Sequence, residues 1–373
     1  MKKAAINLFG PYQMGAFTLR NRFVMASIPR MRCDPQTGVP NEVMIEHYVQ
    51  RAKTVGLVVT EPTYVHSRGN AYPGTPGIET KKQVEGWKKL VKAVKKEGAT
   101  IFCKLYHCGR VGHSQFLNGK KPLGPSPIPI KGQLNTPSGV LEPEEPEEMT
   151  LKQINEVIAQ FTLAAQACER AGFDGVELSA ASGYLIDQFL RDGANKRNDE
   201  YGGNAINRSR LALQIIDELV KVFGHERVGM RISPVSRFND MYDLNPFGTY
   251  SYLLKKASEK KIGYVMISES DAKYWKVAPA REGSKQIANC AVKFRPFFEG
   301  PLITTGSLKF EEANRRVQEG EADLIAFGTK FVANPDLVER LKNGWPVARL
   351  KPDTLYGEEG KGYIDYPNYS PAE

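Results

Sequence analysis

Two basic residues stand where a folded chain tolerates charge least. Lys104 lies in Cys103-Lys104-Leu105-Tyr106-His107 and Arg231 in Met230-Arg231-Ile232-Ser233-Pro234, both otherwise strand-like runs. Period-two alternation puts Lys104 and Tyr106 on one strand face. A buried cation is expensive unless a carboxylate or a bound anion answers it. Glu61 and Glu177, near the ends of two other strand-like runs, are candidate partners; an anionic ligand or cofactor is the competing explanation. Two further runs end in glycine, Thr304-Thr305-Gly306 and Phe327-Gly328-Thr329. Backbone N–H groups there can hold a phosphate, although glycine after a strand is also ordinary turn chemistry. Tyr184, in Ser182-Gly183-Tyr184, is placed either to donate a proton or to pack as an aromatic. Cys103, His107 and Cys108 have no second cluster to complete a zinc site. Ser179 and Ser182 have no histidine in a defined relation to them, so a serine triad is unsupported.

The elements that must carry these residues follow from the apolar pattern. Strand-like runs at 22–26, 57–60, 100–107, 175–178, 227–233, 264–268, 302–305 and 323–327 alternate with helical stretches. The helices are expected at 41–53, 82–97, 150–171 (capped by Thr150), 206–223, 249–260, 286–292, 310–319 and 335–343. Eight strand–helix units, with strands apolar on both faces, predict an α/β fold: a single (β/α)8 TIM barrel spanning residues 1–373. An open doubly wound sheet would carry a glycine fingerprint after the first strand, where Ser27-Ile28-Pro29-Arg30 stands instead. The proline- and glycine-rich stretch 108–149 after strand three is expected to be an irregular insertion or lid, and 345–373 a C-terminal tail.

In such barrels the chemistry sits at the C-terminal ends of the strands, where Lys104, Arg231, Gly306 and Gly328 all fall. The net charge of +9 comes from 51 Lys+Arg against 42 Asp+Glu spread along the 373 residues. Without a nucleic-acid motif, that dispersed excess reads as solvated surface. Five irregularly spaced cysteines are not a disulfide framework and point to a reducing, cytoplasmic location. No run approaches the roughly 18 apolar residues of a membrane span, so the expected partner is a small molecule, neither nucleic acid nor membrane.

Motifs along nearly the whole chain resemble the old yellow enzymes, FMN-dependent NAD(P)H ene reductases on a (β/α)8 barrel. They include Leu19-Arg20-Asn21-Arg22-Phe23-Val24-Met25-Ala26, Pro73-Gly74-Thr75-Pro76-Gly77-Ile78 and Gly172-Phe173-Asp174-Gly175-Val176-Glu177. Gly183-Tyr184-Leu185-Ile186-Asp187-Gln188-Phe189-Leu190, Asp199-Glu200-Tyr201-Gly202-Gly203 and Gly362-Tyr363-Ile364-Asp365-Tyr366-Pro367 continue the series. The resemblance implies FMN and NADPH or NADH as cofactors and an α,β-unsaturated carbonyl or related alkene as substrate. It makes Tyr184 the donor of a proton to the substrate α-carbon and sets Arg231 beside flavin N1 and O2. It also brings Gly306, Gly328 and Thr329 to the phosphate, Ala26 to the flavin, and Tyr106 and Tyr363 to the substrate.

The sequence departs from the family at the ring and at the substrate. Ser179 and Ser182 occupy the positions of the paired His and Asn (or two His) that polarise the substrate carbonyl. Pro29 and Pro62 stand where members offer donors to flavin O4, and proline has no N–H to give. Lys104 replaces a glutamine at the pyrimidine edge and Tyr106 replaces a tryptophan. Three functions fit these departures: a reductase whose substrate brings its own activation, a non-reductive isomerase or cyclase with flavin structural or absent, and a ligand-binding barrel without catalysis. In the second, Tyr184 or Lys104 performs acid–base work, or Lys104 acts as a Schiff-base nucleophile.

Overall fold

Eight parallel strands hydrogen-bond in sequence order, and the first closes on the last, in the computed structural model. The structure describes residues 7–136, 139–269, 286–357 and 360–371. The barrel strands are β1 (Phe23–Met25), β2 (Leu57–Val59), β3 (Thr100–Tyr106), β4 (Gly175–Ala180), β5 (Val228–Ile232), β6 (Tyr264–Ser268), β7 (Leu302–Thr305) and β8 (Leu324–Phe327). Between and around them run α1 (Glu42–Ala52), α2 (Lys81–Lys96), α3 (Leu151–Ala171), α4 (Ala205–Phe223), α5 (Pro246–Glu259), α6 (Cys290–Phe294), α7 (Phe310–Gln318) and α8 (Leu337–Asn343). The expected (β/α)8 barrel is the observed one. Thr150 does cap α3, in a reciprocal box with Gln153, and Thr80 with Gln83 does the same for α2.

Side-chain alternation divides each strand between two cores. Val24, Leu57, Val59, Phe102, Met266, Ile303, Leu324 and Ala326 point into the barrel, while Phe23, Val58, Ile101, Val176, Met230 and Ile325 face the helices. Near the N-terminal ends of the strands the interior is closed by an antiparallel hairpin, Tyr12–Met14 with Phe17–Leu19, whose Met14 and Leu19 join the interior cluster. Glycine at 229 is a packing requirement, since a Cβ there would stand 2.2 Å from the Tyr264 ring.

The 108–149 stretch is more regular than its prolines suggested. Leu123–Gly124 pairs in parallel with Glu147–Glu148, and Leu134–Thr136 forms a hairpin with Gly139–Leu141. Proline blocks helix and central strands but not two- or three-residue edge pairings. The chain that follows strand eight folds back on α1, where the His47 ring stacks on Tyr363 at 3.9 Å and its Nδ1 lies 2.8 Å from the Tyr363 carbonyl.

Candidate active site

Strand register builds the charged part of the site. On neighbouring strands Lys104 stands level with Glu177, and Ser179 with Arg231. In a parallel barrel, partners at one level point the same way, so these four side chains converge on the interior just above the apolar plug. Lys104 Nζ lies 3.8 Å from Glu177 Oε1, and the Tyr264 hydroxyl donates to Glu177 Oε2 at 3.0 Å. Arg231 donates through Nη1 to the Ser27 carbonyl at 3.1 Å, which ties its guanidinium to the end of β1. Burial and the neighbouring Arg231 push the Lys104 amine down to about 7, against the pull of Glu177. The expected pairing with Glu61 is corrected. Its Oε2 accepts the backbone N–H groups of Arg30 and Met31 at 3.2 and 3.1 Å and so braces the β1 loop against the β2 loop. Pro29 and Pro62 flank that brace, one on each loop.

Tyr184 is held by a buried turn. Ser182 (φ 60°) and Gly183 (φ 72°) are both left-handed, and a Cβ on Gly183 would meet Asn239 at 2.7 Å. Asp187 accepts the Gly183 N–H at 2.8 Å and the Tyr250 hydroxyl at 2.8 Å, and it pairs with Arg191 at 3.2 Å. Ser233 Oγ accepts the Ser182 N–H at 2.8 Å. Gln188 then ties this turn to the loop after β3 by donating to the carbonyls of Gly183 and Cys108. Tyr184 therefore leaves the turn with its ring edge-on to Tyr106, 5.1 Å between centroids.

Around these two rings the structure adds residues the sequence did not single out. Tyr72 stands beside Tyr184, and Tyr356 is close to both phenols. Burial, with Tyr72 and Tyr106 beside it, holds Tyr184 well above the ordinary tyrosine value. Tyr72 directly precedes the motif at 73–78, which was its one available signal; Tyr356 had none. Tyr363 is fully buried among His47, Arg30 and Arg32, on the α1 side of the β1 loop, and its hydroxyl has no hydrogen-bond partner among the described residues.

Several polar atoms at this end of the barrel are buried without a hydrogen-bond partner among the described residues: Ser27 Oγ, Ser179 Oγ, Arg231 Nε and Glu177 Oε1. Native interiors satisfy nearly all such groups, so a cluster of orphans marks a place where a polar ligand belongs. Gly306 and Gly328 end β7 and β8, and Lys330 bridges the two loops by donating to the Leu308 carbonyl at 2.8 Å. Gly328 and Thr329 are partly open to solvent. A donor-rich interior beside a glycine-lined, lysine-bridged rim fits the ring and phosphate of FMN.

The family model described as "NADH:flavin oxidoreductase / NADH oxidase family" matches residues 7–347. A flavin oxidoreductase of Emericella nidulans is 38% identical, over 96% of this chain and 97% of its own length. Rice 12-oxophytodienoate reductase 1 is 38% identical over 98% and 93%. Among solved structures, the old yellow enzyme homologue of Zymomonas mobilis superposes with a TM-score of 0.92 at 34% identity, covering 98% of this chain and all of that one. Morphinone reductase gives 0.91 at 34%, covering 99% and 98%, and has also been solved in complex with tetrahydroNAD. The fold, the turn that carries Tyr184 and these likenesses agree: the chain is a flavin oxidoreductase with FMN as its cofactor, and it belongs to the old yellow enzyme family.

Proposed function

We propose that the enzyme reduces electron-poor alkenes, with Tyr184 as proton donor and the hydroxyls of Ser179 and Ser182 as the groups facing the substrate's activating oxygen. FMN, when bound, supplies the hydride. The observation that carries this reading is the placement of Tyr184. Its turn is locked by Asp187 and Ser233, and its ring stands edge-on to Tyr106 at the end of the barrel where Ser179 Oγ and Arg231 Nε lack partners among the described residues. A phenol kept well above its ordinary value stays protonated at neutral pH, as a general acid must. Tyr72, Tyr106 and Tyr356 supply aromatic walls for an alkene. Ala26 and the loops of Gly306, Gly328 and Thr329 serve the flavin ring and phosphate, and Lys104 and Arg231 its pyrimidine edge.

The two serines define the substrate more narrowly. A hydroxyl donates one hydrogen bond and carries no positive charge, so it polarises a carbonyl less than imidazole does. Substrates whose activating group holds negative charge on its own, such as nitroalkenes, fit this pocket better than simple enones. Free thiols at all five buried cysteines support a reducing, cytoplasmic setting, and no helix among the described residues is long and apolar enough to cross a membrane.

The test is spectroscopic. Purified protein should carry flavin absorbance that NADH or NADPH bleaches without oxygen and that a nitroalkene restores faster than cyclohexenone. Flavin that neither nucleotide bleaches would overturn the reductase reading in favour of the non-reductive isomerase or cyclase, and a protein that FMN fails to colour would overturn both.

A further inference from the structure

We infer that the Lys104–Glu177 pair is a proton store tied to the flavin: the Lys104 amine binds one proton when FMN in the site is reduced and releases it when FMN is reoxidised. The inference rests on the proposed placement of Lys104 at the pyrimidine edge.

The geometry is that of an unfinished ion pair. A satisfied ammonium–carboxylate contact closes to about 2.7–2.9 Å, whereas Lys104 Nζ stays 3.8 Å from Glu177 Oε1, and that oxygen has no hydrogen-bond partner. Lys104 Nζ donates to no described residue, while its backbone N–H donates to Thr60 Oγ1 at 3.1 Å. The side chain is 4% exposed. Around it stand Thr60 just past β2, Glu177 on β4, Arg231 on β5 and, through Glu177, Tyr264 on β6.

Of these groups only one is built to change charge. Thr60 does not titrate, and Arg231 keeps its proton at any working pH. Burial and Glu177 hold the Tyr264 phenol well above its ordinary value, so it remains a neutral donor. Lys104 is different, because burial and Arg231 bring its amine near neutrality while Glu177 restrains the shift. The cluster Lys104, Arg231 and Glu177 thus stands at +1 with the amine protonated and at zero without the proton. A negative charge arriving at this edge favours the protonated form.

The step balances. Hydride from the nicotinamide donor brings two electrons and one proton to FMN, and the second proton leaves a water molecule to form a new N–H bond at Nζ. The hydroxide is taken up by buffer. When the hydride passes to an alkene carbon, the proton on Nζ returns to water, while the α-carbon takes its own proton from Tyr184.

The decisive measurement is the two-electron midpoint potential of the FMN-loaded enzyme against pH, with the oxidised-FMN dissociation constant followed by fluorescence of released flavin. For a two-electron couple each linked proton contributes about 30 mV per pH unit, which is tenfold in the ratio of reduced to oxidised affinity. The wild type should therefore show the two-proton slope around neutrality, and Lys104→Gln the one-proton slope. The advantage of the wild type over Lys104→Gln should shrink about tenfold per pH unit as the pH rises. Lys104→Arg, permanently charged, should keep a raised potential at every pH with the one-proton slope. A one-proton slope in the wild type overturns the proton store even if no variant folds. A potential and a dissociation constant indifferent to Lys104→Gln at every pH would instead overturn the placement of Lys104 at the flavin.

Discussion

The lower and upper halves of the barrel interior meet on β3, where Phe102 and Lys104 lie two residues apart, and do opposite things. The lower half is Phe102, Leu57, Ile303 and Leu324 closed by Met14 and Leu19, apolar throughout. One step along β3, β4 and β5 the interior becomes Lys104, Glu177, Ser179 and Arg231, with several polar atoms unsatisfied. Tyr264 marks the boundary, because its ring packs on Phe102 at 5.6 Å while its hydroxyl reaches up to Glu177. Gly229 makes room for that ring. The lower half pays for the upper. Apolar burial below supplies stability, so the layer above can keep groups that a ligand, not the protein, satisfies.

The separation breaks most visibly at Tyr184. Tyr184→Phe should slow flavin reoxidation by alkene about 10²- to 10⁴-fold, with bleaching by NADH and thermal stability unchanged, as anaerobic stopped flow will show. Because the phenol is raised, the wild-type reoxidation rate should stay flat across about pH 6–9; a fall with a midpoint near 7 would assign the proton to another group. Phe102→Ala is the complementary change below, expected to cost about 3–5 kcal/mol in denaturant unfolding while leaving the flavin spectrum intact. A loss of flavin at unchanged stability would show that the halves are not separate.

Restoring the family's donors with Ser179→His and Ser182→Asn together should raise the rate on cyclohexenone by about 10²- to 10³-fold and help nitroalkenes far less. Equal gains on both would remove the case for a self-activating substrate. The smallest effect is expected at the boundary. Tyr264→Phe leaves Glu177 Oε2 without its donor, a loss of about 1–3 kcal/mol in stability, and should strengthen the hold of Glu177 on Lys104, read as a higher amine pKa by NMR of the lysine side chain.

Local chemistry alone determined a good deal. Eight apolar strand runs, the Thr150 cap and the two misplaced cations are properties of short stretches, legible because period-two alternation and capping act over a few residues. The ordered motifs carried the family and with it FMN. Partner choice was not legible. Glu61 and Glu177 look alike in sequence, and the register of β2 on β3 runs toward Lys104 as well, yet β2 ends at Val59 and Glu61 turns to the Arg30 and Met31 N–H groups, while Glu177, still inside β4, stands level with Lys104. Tyr363 and Tyr356 lie seven residues apart in one tail, and the fold buries the first against His47 and sends the second to Tyr72 and Tyr184. The distinction comes from which side of the β1 loop the returning chain crosses, a long-range choice that no local pattern encodes.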